Sequence, residues 1–283
     1  MVTKNSNLSL YLRIISYSVL AFTLAFLINN VLTVWSDWPG IKKIFSHHEM
    51  FGFKKKALEG SDLNYGYMQI GLYLICIAAV VFYVFKTYSQ TLEQDSKILS
   101  RFSAYLVRSS FWAVFLVGVA DFVISFMVVE RLWEAIFSPE VKALMVKAPV
   151  RITYIHFPII LISFVIGYFT KSVGFIWLAV LVVVSEFVIV LSRFIFSYEQ
   201  AFQGDLVRFW YAALYLFASA YALIHEGHVR VDVLYSSFSE KKKAWTNMVG
   251  SAVLGVPLTL IVIFLGLNGK ASIINGPVVA FEV

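Results

Sequence analysis

Val173-Gly174-Phe175-Ile176-Trp177-Leu178-Ala179-Val180-Leu181-Val182-Val183-Val184-Ser185-Glu186-Phe187-Val188-Ile189-Val190-Leu191-Ser192-Arg193-Phe194-Ile195-Phe196 carries only two charged residues, Glu186 and Arg193. A bilayer core takes about 20 mainly apolar residues as one helix, and this stretch is long enough. Its large apolar side chains fall all round the circumference, not on alternate positions as in a barrel strand, so a membrane helix is expected. Working outward, further stretches near 14–35, 67–85, 111–129, 152–169, 207–224 and 247–267 read the same way. The chain is expected to be an all-α, polytopic transmembrane helical bundle of about seven spans.

Composition agrees. The 283 residues are 60% hydrophobic and 14% charged, against about a quarter charged in soluble domains, and the mean hydropathy is +0.79. The net charge of +6, from 23 basic and 17 acidic residues, sits mostly in connections where it meets anionic head groups. That pattern seats a protein on membrane lipids and gives no reason to expect a nucleic-acid partner. Cys76 is alone, which excludes an internal disulfide and a multi-cysteine metal site. Lys4 and Arg13 precede the first apolar run, but that run exceeds the roughly 7–15 residues of a signal-peptide core, so it should stay in the membrane.

The polar residues inside the spans are few. Asp121 lies near the middle of the third span, where a charge costs about 2.5–3.5 kcal/mol on insertion scales; an ion or proton site and an interhelical hydrogen bond are equally compatible with it. The fourth span brings His156 and Pro158 near its start, with a local kink expected at the proline. Glu186 and Arg193 lie about two turns apart on one face, too far for a direct pair, so each should reach a neighbouring helix. Among the connections, His47, His48 and Glu49 lack zinc-type spacing. Residues 86–110 read as a polar helix extension, and Phe196–Arg208 as an amphipathic segment that could lie flat among the head groups. Only Thr170-Lys171-Ser172 separates spans four and five, so they should form a tight hairpin. A boundary there divides the chain into a four-span region, 1–170, and a second region, 171–283.

Residues 218–245 form the densest polar connection. His225, Glu226 and His228 do not have the i, i+4 spacing of a helical zinc motif. Asp232 can cap a short interfacial turn and Ser239 the helix after it. Lys241, Lys242 and Lys243 oppose that helix's dipole by about 0.3–1 kcal/mol each, but each gains about 1 kcal/mol beside an anionic leaflet. The membrane term wins, which makes this loop cytoplasmic and, through seven spans, the N-terminus cytoplasmic too. Over the whole chain the positive-inside rule is undecided.

From about Gly174 to Val283 the chain resembles the small membrane subunit, the DctQ type, of tripartite ATP-independent periplasmic (TRAP) transporters. The residues that carry the likeness are Arg193-Phe194-Ile195-Phe196, Gly204-Asp205-Leu206-Val207-Arg208, the Ala218–Leu223 run, His228-Val229-Arg230-Val231-Asp232-Val233-Leu234-Tyr235, Lys243-Ala244-Trp245 and Pro257. Their details are similar to the branch labelled mannitol or chloroaromatic. The family core has four spans, so the sequence looks truncated after Val283 and the natural chain is expected to continue; residues 1–170 match nothing in that core and read as an extension.

The resemblance implies transport without catalysis. It implies a bacterial inner-membrane scaffold beside a large membrane subunit that imports an organic anion, commonly a carboxylate, with a sodium gradient and a periplasmic substrate-binding protein. Sodium and substrate would bind the large subunit, so no cofactor, metal or substrate site is assigned here. On this reading His228, Arg230, Asp232 and Tyr235 fix the cytoplasmic turn, Glu186 and Arg193 are helix-contact residues, and Lys241, Lys242 and Lys243 face lipid. The alternative is a self-sufficient carrier or membrane enzyme using Asp121, His156 and Glu186 as an ion or proton path.

Overall fold

The computed structural model describes residues 7–171, 175–198, 201–224 and 233–275, and no strand occurs among them. In chain order the helices are α1 (Asn7–Trp35), α2 (Ile41–His47), α3 (Ser61–Lys86), α4 (Leu92–Val129), α5 (Trp133–Ile136), α6 (Pro139–Met145) and α7 (Ala148–Arg151). There follow α8 (Phe157–Phe169), α9 (Phe175–Phe196), α10 (Ala201–Ile224), α11 (Val233–Ser236), α12 (Glu240–Gly250) and α13 (Val256–Gly266). Six helical stretches among the described residues are long and apolar enough to cross a membrane, the last of them running from α12 into α13. The all-α polytopic bundle is therefore as the sequence predicts. Side chains such as Phe194, 82% exposed, and Phe169, 75% exposed, would be costly in water but suit contact with lipid tails.

The two prolines inside long apolar helical stretches, Pro158 and Pro257, are absorbed in one way. Pro158 and Pro257 stand in the first turns of α8 and α13, each directly after a π turn, Ile152–His156 and Ser251–Gly255. A proline lacks an N–H and its ring clashes with the carbonyl four residues earlier. Widening the preceding turn makes room for the ring, so the helix continues.

α4 is longer than the bilayer requires: 38 residues rise about 57 Å. Its polar start, expected as a helix extension, is nucleated by Thr91-Leu92-Glu93-Gln94. The Gln94 N–H donates to Thr91 Oγ1 at 3.3 Å and the Thr91 N–H to Gln94 Oε1 at 2.9 Å, a reciprocal capping box. Ala201–Arg208, the second part of the amphipathic segment, forms the first two turns of α10. Gln203, Val207 and Trp210 fall on one stripe there and are all buried, so packing carries the helix straight through the amphipathic segment.

The chain divides into two compact units, 1–96 with 232–281, and 97–231 with 282–283. In the first, α1 lies beside α3. Phe264 of α13 packs edge-on against Phe26, with ring centroids 4.6 Å apart, and against Phe22 at 5.9 Å. In the second unit, Phe111 of α4, Leu178 and Val182 of α9, and Val207, Trp210 and Ala213 of α10 form the buried core. Trp112 Nε1, Arg108 Nε and the Tyr105 hydroxyl donate to Thr170 Oγ1, Gly167 O and Phe164 O at 3.2, 3.2 and 3.1 Å, which ties α4 to the end of α8.

The seventh expected span lies in α10, whose apolar part, Leu206–Ala220, is shorter than the others. Within the first unit, Lys42 donates to Asn268 at 2.7 Å and Lys270 pairs with Asp37, which joins the end of α1 to the end of α13. The 24 residues of α10 rise about 36 Å, a length that would reach across a bilayer.

The contact of α4 with α10 requires glycine: a Cβ on Gly118 would lie 2.1 Å from Trp210 Nε1. Gly118→Ala is expected to cost about 1–3 kcal/mol by overpacking and to lower the detergent melting temperature. Gly204→Ala, with nothing within 4 Å of the new methyl, should leave it unchanged or raise it slightly; equal effects from the two would disprove the packing account.

Candidate functional site

The membrane-embedded polar cluster of the second unit is built on Asp121. His156 Nε2 lies 2.9 Å from Asp121 Oδ1, and Arg151 Nη1 donates to the same oxygen at 3.3 Å. Arg151 Nη1 also donates to Ser125 Oγ at 3.3 Å, one turn along α4 from Asp121. The side chains of Arg151 and Asp121 are 6% and 22% exposed.

The backbone explains why both side chains reach one oxygen. Residues five apart diverge on an α-helix, but the i→i+5 bonding of a π turn brings them near one face. The π turn between Arg151 and His156 is the one that precedes Pro158, so the proline helps build the cluster. Chemically, Arg151 neutralises the carboxylate whose burial the sequence left with two readings, and the result is an interhelical clamp. Arg151 was missed in the sequence because it sits beyond the apolar run of the fourth span. Its signal was position: a lone arginine one turn before an intramembrane histidine.

A second cluster, also missed, is in the first unit. Arg13 and Asp95 are 2% and 4% exposed, with Arg13 Nε 2.5 Å from Asp95 Oδ2. Arg13 also donates to Thr87 O and Thr87 Oγ1, each at 2.8 Å, and the Tyr17 hydroxyl donates to Asp95 at 3.2 Å. An arginine that reads as a flank of the first span is thus the bolt between α1 and the α3–α4 turn. Partners 82 residues apart leave no local pattern to read.

The other singled-out residues are placed as follows. Glu186 and Arg193 are exposed on α9, Glu186 beside Val183 and Phe187, which are 67% and 60% exposed. Neither makes a hydrogen bond or ion pair among the described residues, so neither is bonded into the Asp121 cluster. His228, Arg230 and Asp232, with His225 and Glu226, lie outside the described residues. The Tyr235 hydroxyl donates to Asn247 Oδ1 at 3.1 Å and accepts from its Nδ2 at 2.8 Å, joining α11 to α12. Lys241, Lys242 and Lys243 stand in the first turn of α12. Lys242 sits over Phe238 and Lys243 over Tyr235, each 6.0 Å from the ring centre. Glu240, which suits a helix N-terminus, pairs with Lys243 at 3.2 Å. Ser239 takes the N-cap position but its hydroxyl makes no capping bond. The adjacent histidines serve the first loop: His47 Nδ1 accepts the Leu58 N–H at 3.0 Å, and His48 Nε2 is 2.8 Å from the Tyr67 hydroxyl.

The Asp121 clamp makes a prediction. Arg151→Met leaves the carboxylate without its permanent counter-charge and should destabilise the protein by about 2 kcal/mol, below the usual 3–5 for fully buried pairs because Asp121 keeps some solvent access. Asp121→Leu combined with Arg151→Met should recover part of that loss. Melting curves in detergent of these two variants and of Asp121→Leu alone check this, and simple additivity would refute it.

No curated protein and no solved structure matches the chain. Residues 181–278, about a third of the sequence, match the family model described as Tripartite ATP-independent periplasmic transporters, DctQ component.

Proposed function

We propose that this protein is the small membrane subunit of a TRAP transporter in a bacterial inner membrane, a scaffold rather than an enzyme. The observation that carries the reading is the family match from the middle of α9 to the end of the described chain. The match starts five residues before Glu186 and includes Arg193. A carboxylate on the outer face of a spanning helix costs about 2.5–3.5 kcal/mol in lipid, so α9 calls for a partner with a hydrogen-bond donor or positive charge. The large membrane subunit is that partner. It moves an organic anion, a carboxylate delivered by a periplasmic binding protein, with a sodium gradient. The Lys241–Lys243 turn faces the cytoplasm, as does the N-terminus, and residues 1–170 act as an extension of the scaffold.

The second reading, a carrier complete in itself, has one observation in its favour, the Asp121–His156 contact. Against it, Arg151 engages the same carboxylate oxygen, and Glu186 is on an exposed face of another helix.

The test is co-expression of the tagged chain with the TRAP large subunit of the same source, followed by purification in mild detergent. The two should co-purify, and proteoliposomes holding this chain alone should take up no substrate. Uptake by the chain alone, or failure of a folded large subunit to co-purify, would overturn the proposal. Glu186→Leu should reduce recovery of the large subunit at least about fivefold, equivalent to about 1 kcal/mol, without lowering this chain's own melting temperature. Unchanged recovery would remove Glu186 from the interface and leave the function standing.

A further inference from the structure

Within the first unit, α1, α3, the α2 loop and the end of α13 enclose a cleft of about 720 Å³, within the roughly 300–1,000 Å³ of small-molecule sites. Its two ends differ in chemistry. At the end of α1 the lining includes Asp37, Lys42, Lys43 and Lys270, three cations and one anion, a net charge of +2. Deeper along α1 and α3 the lining is Phe22, Phe26, Tyr73 and Leu74, with Phe22 and Tyr73 rings 5.2 Å apart. From Trp35 back to Phe22 the helix descends about 20 Å, so the cleft runs from head-group level well into the hydrocarbon.

The cationic end is not fully used by the protein. Lys270 pairs with Asp37 and Lys42 donates to Asn268. The Lys43 ammonium makes no hydrogen bond or ion pair among the described residues; the hydrogen bond and charge of Lys270, with a smaller contribution from the charge of Lys43, hold the Asp37 carboxyl below the usual range. Asp37 therefore stays ionised at neutral pH, and the excess of positive charge is real. Asn29, which also lines the cleft, buries its side-chain carbonyl with no hydrogen-bond partner. A buried acceptor left unmade costs about 1–3 kcal/mol, and a rotation of the Asn29 side chain would bring it to a donor held in the cleft.

The apolar end is open sideways. Phe22 is 45% exposed and Leu74 64%, and both belong to spanning helices, so this wall opens toward lipid. A small water-soluble anion would satisfy the lysines but leave the long aromatic floor without contact. An amphiphile satisfies both.

We propose that this cleft binds one phospholipid of the bilayer, its anionic phosphate held by Lys43 beside Lys42 and Lys270, a head-group hydroxyl or ammonium donating to Asn29, and an acyl chain lying over Phe22 and Tyr73. Phosphatidylglycerol has the required net charge and hydroxyl donors. The cleft lies wholly within the first unit, so the site does not depend on the transporter reading or on α9.

Native mass spectrometry of the delipidated full-length chain in detergent, titrated with phosphatidylglycerol or phosphatidylcholine of the same acyl composition, tests this. One equivalent of phosphatidylglycerol should be retained about tenfold more strongly than phosphatidylcholine. Lys43→Glu should abolish that preference, whereas Lys54→Glu, an exposed lysine of the same loop outside the cleft, should preserve it. Asn29→Leu should weaken retention with the anionic preference intact, which a purely electrostatic association would not show. Equal retention of the two lipids, equal losses from Lys43→Glu and Lys54→Glu, or displacement of the lipid by millimolar sn-glycerol 3-phosphate would each overturn the proposal, the last by pointing to a soluble anion.

Discussion

The hydrocarbon of a bilayer offers no hydrogen bonds, and that absence governs this structure from the backbone to its buried charges. Backbone groups must be satisfied within each segment, so every apolar stretch is a helix. Where proline removes a donor, at Pro158 and Pro257, a π turn takes up the misfit and the helix continues. Where a charge is carried into the membrane region, a partner is built for it: Arg151 and His156 for Asp121, Asp95 and the Thr87 carbonyl for Arg13. The two proline adaptations are not equivalent, because the first also turns Arg151 and His156 toward the same oxygen.

These pairings do more than neutralise charge. Apolar side chains gain little from leaving lipid for another helix, so close approach and polar contacts decide which helices associate. The Asp121 clamp and the Gly118–Trp210 contact set α4 against its neighbours in the second unit. The Arg13–Asp95 bolt and the aromatic pairs of Phe264 do the same in the first. That first unit joins the start of the chain to its last described helix, so the segment matched to the DctQ family contributes helices to both units.

Against this rule of internal satisfaction, the exceptions are informative. Glu186 stands in the middle of a spanning helix, exposed and without a partner among the described residues, which is what the proposed contact with a large subunit would account for. Lys43 and Asn29 are a different exception, at the head-group end of an amphiphilic cleft. One exception suits a helix of a partner subunit and the other a lipid, so a scaffold role and a lipid-binding role can reside in separate parts of one chain.

The class of fold was legible in the sequence alone, because composition and run length depend only on local transfer free energy: Phe175–Phe196 is long and apolar enough for a membrane helix whatever surrounds it. The polar start of α4 and the position of Lys241–Lys243 in a helix's first turn were equally local. Tyr235 was singled out from a family pattern, but its contact with Asn247 needed the α11–α12 corner to be built. What only the tertiary structure decided was pairing. Nothing near Arg13 announces Asp95, and nothing near Asp121 announces Arg151, because the chain reaches those partners only after its helices have packed. The join of the α1 end to the α13 end was decided the same way, by a contact between Asp37 and Lys270, 233 residues apart. Hydropathy measures how a segment partitions between water and lipid; which segments meet depends on shape and on charges that must find each other, and that information is distributed over the whole chain.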